Sequence, residues 1–313
     1  MKFLLTTVLC ASGLAGASMA QVSQTPDIAA KLPDLGRELS REMVGGTKAL
    51  YAPLHAAADE TGLSVQRDLS YGPDARNMLD VYAPEAADGS NPVMIFVHGG
   101  GFVRGDKADV AGIGRWFARN GVVAVTMNYR LAPDHPWPSG AEDVRAALEW
   151  IGARVANMGG DPSKVFVVGN SAGAMHVADY VFREDLQAED DGVIGTTLIS
   201  PPTVDLTARD IDPSRDALYY GIDGDRSEQS VVNALEGRKI PVMIAYAEHE
   251  PDVIIKQTRL LIEALATRDG RLPLITGVPG HNHISIVEHI GTADQSLAFE
   301  MLSFMTSRAL EEK

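Results

Sequence analysis

Ser171 lies in Gly169-Asn170-Ser171-Ala172-Gly173, a Gly-x-Ser-x-Gly spacing that follows the apolar run Val165-Phe166-Val167-Val168. A hydroxyl is a poor nucleophile at neutral pH; it needs a base beside it, and the base needs a group to orient it. A serine pinned at a sharp strand-to-helix turn approaches its neighbours closely, which is why glycine suits the positions two residues away on each side. The pentapeptide alone would also fit a tight turn with no chemistry. The buried-strand pattern before it, and the helix-like run through Met175, Val177, Val181 and Phe182 after it, favour a hydroxyl raised above a sheet edge.

Two imidazoles stand in Gly280-His281-Asn282-His283-Ile284, and His283 is expected to be the base, with His281 as the alternative. A His-x-His pair could also bind a metal, but two ligands do not make a site, and no third histidine or carboxylate stands at convincing spacing. The His-Asn-His letters lack the basic surroundings of a nuclease. The orienting acid is sought in Glu248-His249-Glu250-Pro251-Asp252. Glu250 is favoured, because it precedes the proline that opens a helix; Glu248 belongs with the strand end, and Asp252 suits a helix N-terminus, where the dipole favours a carboxylate. Attack on a carbonyl puts negative charge on oxygen, and donors fixed in advance lower that barrier. The glycines of His98-Gly99-Gly100-Gly101 leave their amides accessible, so the backbone N–H groups of Gly100, Gly101 and Ala172 are the expected oxyanion donors.

These residues must be gathered by the elements between them. Runs at 65–71 and 77–82, parted by Gly72-Pro73-Asp74, predict a hairpin at a sheet edge. Strands are then expected at 92–97, 122–127, 165–168, 192–200, 240–246 and 271–277, with helices around 110–119, from about 140, after Ser171, from about 252, and over 293–310. Residues 203–233 are irregular and rich in Asp and Gly, fit for loops and short helices over the site. Strand and helix in alternation imply a mostly parallel sheet covered on both faces, with chemistry at the carboxyl ends of its strands. The catalytic domain is expected over residues 63–313 and an arm or partial lid over 21–62, where Pro26, Pro33 and Pro53 interrupt short helical patterns.

Acidic residues outnumber basic ones, 42 against 27, for a formal charge of -15. Such a surface argues against nucleic acid or an anionic membrane face as partner, and an anionic substrate would enter only against the overall field. Residues 1–20 read as an export signal: Lys2, an apolar run, then Ser18-Met19-Ala20 as a small-x-small cleavage site. That run is too short and too rich in Gly and Ser for a stable membrane anchor. The sole cysteine, Cys10, lies inside it without the small residue before it that lipid attachment requires, so the processed chain is expected to carry no thiol. The expected location is periplasmic or secreted.

Taken together, His98 to Gly101, Tyr129-Arg130-Leu131-Ala132-Pro133, Gly169 to Gly173, Glu250-Pro251 and Gly280 to His283 resemble the α/β-hydrolase superfamily. More narrowly, they resemble carboxylesterases of its hormone-sensitive-lipase-like and feruloyl-esterase-like branch, over roughly residues 65–308. The resemblance implies the α/β-hydrolase fold, a mostly parallel sheet with an antiparallel edge hairpin. It also implies ester hydrolysis by Ser171, Glu250 and His283, in the chain order of that superfamily, on a small-molecule ester and with no cofactor or metal. Relatives often carry Asp-Pro where Glu250-Pro251 stands here, and the large helical lid of many relatives is not evident, which leaves Phe102, the arm and residues 203–233 to shape the pocket. An amidase of the kynurenine-formamidase type is the alternative among enzymes. A non-catalytic hydrolase-like binding protein is less favoured, since serine, histidine and glycines are all present, and a peptidase is disfavoured because no extra domain screens the site.

Overall fold

The computed structural model describes residues 25–311. The expected export segment, residues 1–20, lies outside them. Eight strands form one sheet: β1 (Leu63–Ser70), β2 (Met78–Pro84), β3 (Asn91–Val97), β4 (Val123–Met127), β5 (Gly160–Asn170), β6 (Val193–Ile199), β7 (Val242–His249) and β8 (Leu274–Asn282). Their spatial order is β1-β2-β4-β3-β5-β6-β7-β8; β2 pairs antiparallel with β1 and β4, and every other pairing is parallel. This is the α/β-hydrolase fold, with the predicted hairpin at one edge.

The helices are α1 (Pro26–Lys31), α2 (Arg41–Ala56), α3 (Ala111–Arg119), α4 (Ser139–Arg154), α5 (Ala172–Phe182), α6 (Asp216–Tyr220), α7 (Arg226–Gln229), α8 (Asp252–Asp269), α9 (Ser285–Glu288) and α10 (Ser296–Glu311). The central strands are apolar on both faces because both faces are covered. Along β3 the pleat divides them: Val93, Ile95 and Val97 join a core with Val144, Leu148, Val177 and Leu261 from α4, α5 and α8. Met94 and Phe96 join the opposite core with Ile113, Phe117, Leu297 and Met301 from α3 and α10. Burying two faces of one sheet fixes its register, since a one-residue slip would exchange the two side-chain sets. Among the described residues no helix is long and apolar enough to cross a membrane.

Three boundaries differ from the sequence expectation. The last strand begins later and runs five residues further, to Asn282, so His281 lies within it rather than beyond. Pro279 and Gly280 hide this extension in the sequence, while the pairing resumes at His249 and Asn282 after a register shift. The arm is more regular than its prolines suggest. Ser40 accepts the Met43 N–H at 3.0 Å and starts a 16-residue helix, α2, in which Pro53 falls in the final turn, where losing one N–H does not break the helix. A short helix, α9, follows the two histidines and was not anticipated.

Candidate active site

Ser171 sits between β5 and α5 with φ 51° and ψ -120°, a left-handed conformation that costs a non-glycine residue roughly 1–3 kcal/mol. The tight turn explains its glycines. A Cβ on Gly173 would lie 2.2 Å from the Val97 carbonyl oxygen, and one on Gly169 would lie 2.3 Å from the Gly173 carbonyl oxygen. The Ser171 amide donates to the Ile199 carbonyl at 2.8 Å, tying the turn to the end of β6.

His283 follows β8 on the same rim. Its Nε2 lies 2.9 Å from Ser171 Oγ, and its Nδ1 lies 2.7 Å from Glu250 Oε2. A carboxylate can only accept, so Nδ1 carries the proton and Nε2 presents its lone pair to the serine hydroxyl. Glu250 is fully buried and His283 nearly so. The second carboxylate oxygen, Oε1, accepts from the Ser200 hydroxyl and, at 3.2 Å, from the Ala247 N–H. These three donors together fix the plane of the Glu250 carboxylate.

The competing candidates go elsewhere. Glu248 is exposed and accepts the Gly280 N–H at 2.7 Å, which holds β8 through its glycine. Asp252 is exposed at the start of α8 and pairs with Arg37. His281 turns its ring nitrogens to Ser285 Oγ at 3.1 Å and Asp294 Oδ2 at 3.2 Å rather than to Ser171.

The glycine loop after β3 passes in front of Ser171. Gly100 has φ 143°, and a Cβ there would fall 1.8 Å from the Arg104 carbonyl oxygen, so no other residue fits without moving the loop. Among the described residues, the amides of Gly100, Gly101 and Ala172 donate to no protein acceptor. Ala172 opens α5, where the first N–H groups of a helix lack partners and the dipole favours negative charge.

His98 supports this loop rather than the chemistry. Its Nδ1–H donates to the Gly99 carbonyl at 2.6 Å, its ring stacks on Tyr129 at 4.4 Å, and burial lowers its pKa to about 4, so it stays neutral. Arg76 donates to the carbonyls of Tyr129 at 2.8 Å and Gly105 at 2.9 Å, joining the edge hairpin to the loop. Arg130 pairs with Asp143 of α4 at 2.8 Å, and Asn77 donates to the same carboxylate at 3.1 Å. Ser200, Arg76 and Asp143 carry no sequence signal of this work; each is visible only once distant elements meet.

A cavity of about 160 Å³ covers Ser171 and is lined by Leu39, Val44, Lys48, the glycine loop, His283 and Ile284 among others. The arm therefore contributes wall, and Arg215 of the irregular segment does too. Phe102 does not: it is buried, with φ 69°, and stacks on Tyr219 at 4.5 Å between nearly parallel rings. The third partner that spacing did not supply for His281 also exists. His289 and Asp294 place their ligating atoms with that of His281 within 4.8 Å of one another. The His289 Nδ1–H donates to the Ser285 carbonyl at 2.9 Å, so a metal there would have to replace the proton shared by His281 and Asp294.

A hydroxyl, imidazole and carboxylate in hydrogen-bonded series, facing amides without acceptors, is the arrangement of a serine hydrolase, here on an α/β-hydrolase fold. Residues 79–184, from β2 to just past α5, match the BD-FAE family model. The chain is 42% identical over 94 residues to carboxylesterase NlhH of Mycobacterium tuberculosis, a stretch that covers 30% of each chain. It is 32% identical over 125 residues to the isoprenylcysteine alpha-carbonyl methylesterase ICME of Arabidopsis thaliana, covering 40% of this chain and 29% of that one. The match thus spans about a third of the length of these curated relatives. Among solved structures, a tributyrin phosphonate complex of esterase B from Lactobacillus rhamnosis superposes with a TM-score of 0.71 at 20% identity, over 93% of this chain and 98% of that one. The hormone-sensitive-lipase homologue EstE7 from a metagenome library gives 0.66 at 20% identity, over 90% and 97%.

Proposed function

We propose that the protein hydrolyses carboxylic esters through a covalent acyl-enzyme. One observation carries this reading: the unbroken series from Ser171 Oγ to His283 Nε2 at 2.9 Å and from His283 Nδ1 to Glu250 Oε2 at 2.7 Å. Ser171 attacks the ester carbonyl as its proton passes to His283, and Glu250 orients the imidazole and stabilises its charged form. The amides of Gly100, Gly101 and Ala172 receive the oxyanion. His283 then delivers the proton to the leaving alcohol, and water releases the acyl group by the same route. The scheme calls for no cofactor or metal.

Support comes from the esterase names of the matched relatives and from the phosphonate that inhibits one structural neighbour. These favour an ester over the formamide alternative. The cavity over Ser171, about 160 Å³, is close to the size that admits a single benzene ring, which favours short-chain or aryl esters. Export to the periplasm or exterior is supported by the pattern of residues 1–20 and would be checked by N-terminal sequencing of protein recovered outside the cytoplasm. The activity is tested with Ser171→Ala on a short p-nitrophenyl ester. The variant should fold normally and lose several orders of magnitude in turnover, because such groups act as a unit; substantial remaining turnover would refute the assignment.

A further inference from the structure

A second cleft of about 410 Å³ adjoins the cavity over Ser171. The two share Leu39, Val44, Gly100, Arg104 and Arg215 as walls, which puts the cleft directly beside the space over the serine. Three separate segments wall the cleft, and each supplies a guanidinium: Arg41 from the start of α2, Arg104 from the loop after β3, and Arg215 from the irregular segment. Among the described residues the only carboxylate lining it is Asp212, which is already engaged by Arg215 at 2.8 Å and by the Ser214 amide and hydroxyl.

Two of these cations, Arg41 and Arg104, are exposed to solvent. Among the described residues, no carboxylate lies within 4.0 Å of Arg41 or Arg104, although the chain carries a net charge of -15. Arg41 is moreover the first residue of α2, where the helix dipole disfavours a cation, so an anion placed there gains from both the charge and the helix end. The third cation is close to the chemistry. A Cβ on Gly101 would lie 3.0 Å from Arg215 Cδ, and one on Gly99 would lie 3.2 Å from Ser171 Cβ, so the same short loop packs against Ser171 at one end and the Arg215 stem at the other. Guanidinium groups bind carboxylates through paired, charge-assisted hydrogen bonds. The carboxylates that line the adjoining cavity, Asp109 and Glu288, are engaged by Lys48 and His55, and screening over about 8 Å at physiological salt limits the reach of the remaining negative surface.

We propose that the cleft binds a carboxylate carried by the substrate, so that the preferred esters bear a free carboxylate a few bonds from the scissile carbonyl, held by Arg41 and Arg104 with Arg215 between them and the serine. This rests on the ester-hydrolase reading for its chemistry but makes its own demand on binding. The test compares two matched pairs: mono-4-nitrophenyl glutarate against 4-nitrophenyl valerate for an anion on the acyl side, and 4-carboxyphenyl acetate against 4-methylphenyl acetate for an anion on the leaving side. In the double variant Arg41→Gln, Arg104→Gln, the ratio of kcat/KM for anionic over neutral ester should fall at least about tenfold in one pair, through KM. The same ratio should fall for the unaltered protein in about 0.5 M NaCl. Ratios that do not move in either pair overturn the proposal while leaving ester hydrolysis standing. If neither member of either pair is turned over, the hydrolase reading fails instead, and calorimetry with glutarate decides the cleft separately. Binding that is lost in the double variant supports it, and no binding to the unaltered protein overturns it.

Discussion

Glu250 shows what a single residue owes to its surroundings. Its carboxylate is wholly buried, and it is tolerated there because His283, Ser200 and the Ala247 amide all donate to it. Removing one donor from a buried charge costs about 1.5–3 kcal/mol, which corresponds to roughly ten- to a hundredfold when the charge acts in the transition state. Ser200→Ala is therefore expected to lower kcat by about that factor with little change in KM. A variant with unaltered kcat would show that Ser200 only fills space. In parallel, Glu250→Ala should cost far more than Glu248→Ala or Asp252→Ala, because those two carboxylates are exposed and spend themselves on the Gly280 amide and on Arg37.

The elements matter through where they end. The strand β5, the loop after β3 and the strand β8 stop on one rim, and that rim is held by contacts between elements far apart in sequence: Arg76 to the Tyr129 and Gly105 carbonyls, Asn282 to Thr47 of α2 at 2.9 Å, His55 of α2 to Glu288 of α9 at 3.1 Å. The glycine loop is the most demanding of them. Gly100→Ala would drive a Cβ into the Arg104 carbonyl and shift the neighbouring amides. Losing an oxyanion donor is worth about two to three orders of magnitude in kcat, so turnover should collapse while the far-UV circular dichroism stays native. Gly152→Ala is the matched control: its Cβ meets nothing, it lies within α4, and it should raise stability by about 0.5–1 kcal/mol with activity unaltered. Equal kinetic losses in both variants would remove the loop from the mechanism. What the sequence could show follows the same division. Serine, glycines and histidine were legible because a sharp turn and a bare loop demand particular residue types, and the strands were legible from unbroken apolar runs. The true end of β8 was hidden by Pro279 and Gly280, whose place in the ladder depends on Glu248. Ser200, Arg76 and Asp143 were hidden because a hydrogen bond across more than ten residues leaves no spacing to read.

At the scale of the molecule, acid tests the fold through groups the chemistry does not use. Burial lowers the pKa of His98 to about 4, of His176 to about 3 and of His289 to about 4. Each ring is neutral when folded but titrates near 6.5 when unfolded, so the unfolded chain binds more protons below that value. Their contribution is complete above about pH 6.5 and is lost as pH falls through the folded values. Asp294 acts in the same direction further down. Despite its burial, the hydrogen bond from His281 and the other donors around it hold its pKa at about 2, so its contribution is lost between about pH 4 and 2. Asp179 opposes them: burial raises its pKa to about 6 against the pull of Arg183, so acid relieves a cost there. Acid also reduces the net charge of -15 toward zero near pH 4.9, which eases self-repulsion. Burial also raises the carboxyls of Asp143 and Asp216, by less than that of Asp179, so the large downward displacement of all three buried rings decides the sign, and surface repulsion is weak once salt screens it beyond about 8 Å. Chemical denaturation should therefore show stability falling steadily from pH 6.5 to 4, as steeply at high salt as at low. Replacing His176, whose Nε2 has no hydrogen-bond partner among the described residues, with Gln should shallow that slope even if it lowers stability at pH 7. A curve that is flat or rising toward pH 4 would mean that the rings are hydrated or paired in solution, and that the aromatic packing of Phe102, Tyr129, His176 and Tyr219 beneath the glycine loop is looser than these contacts imply.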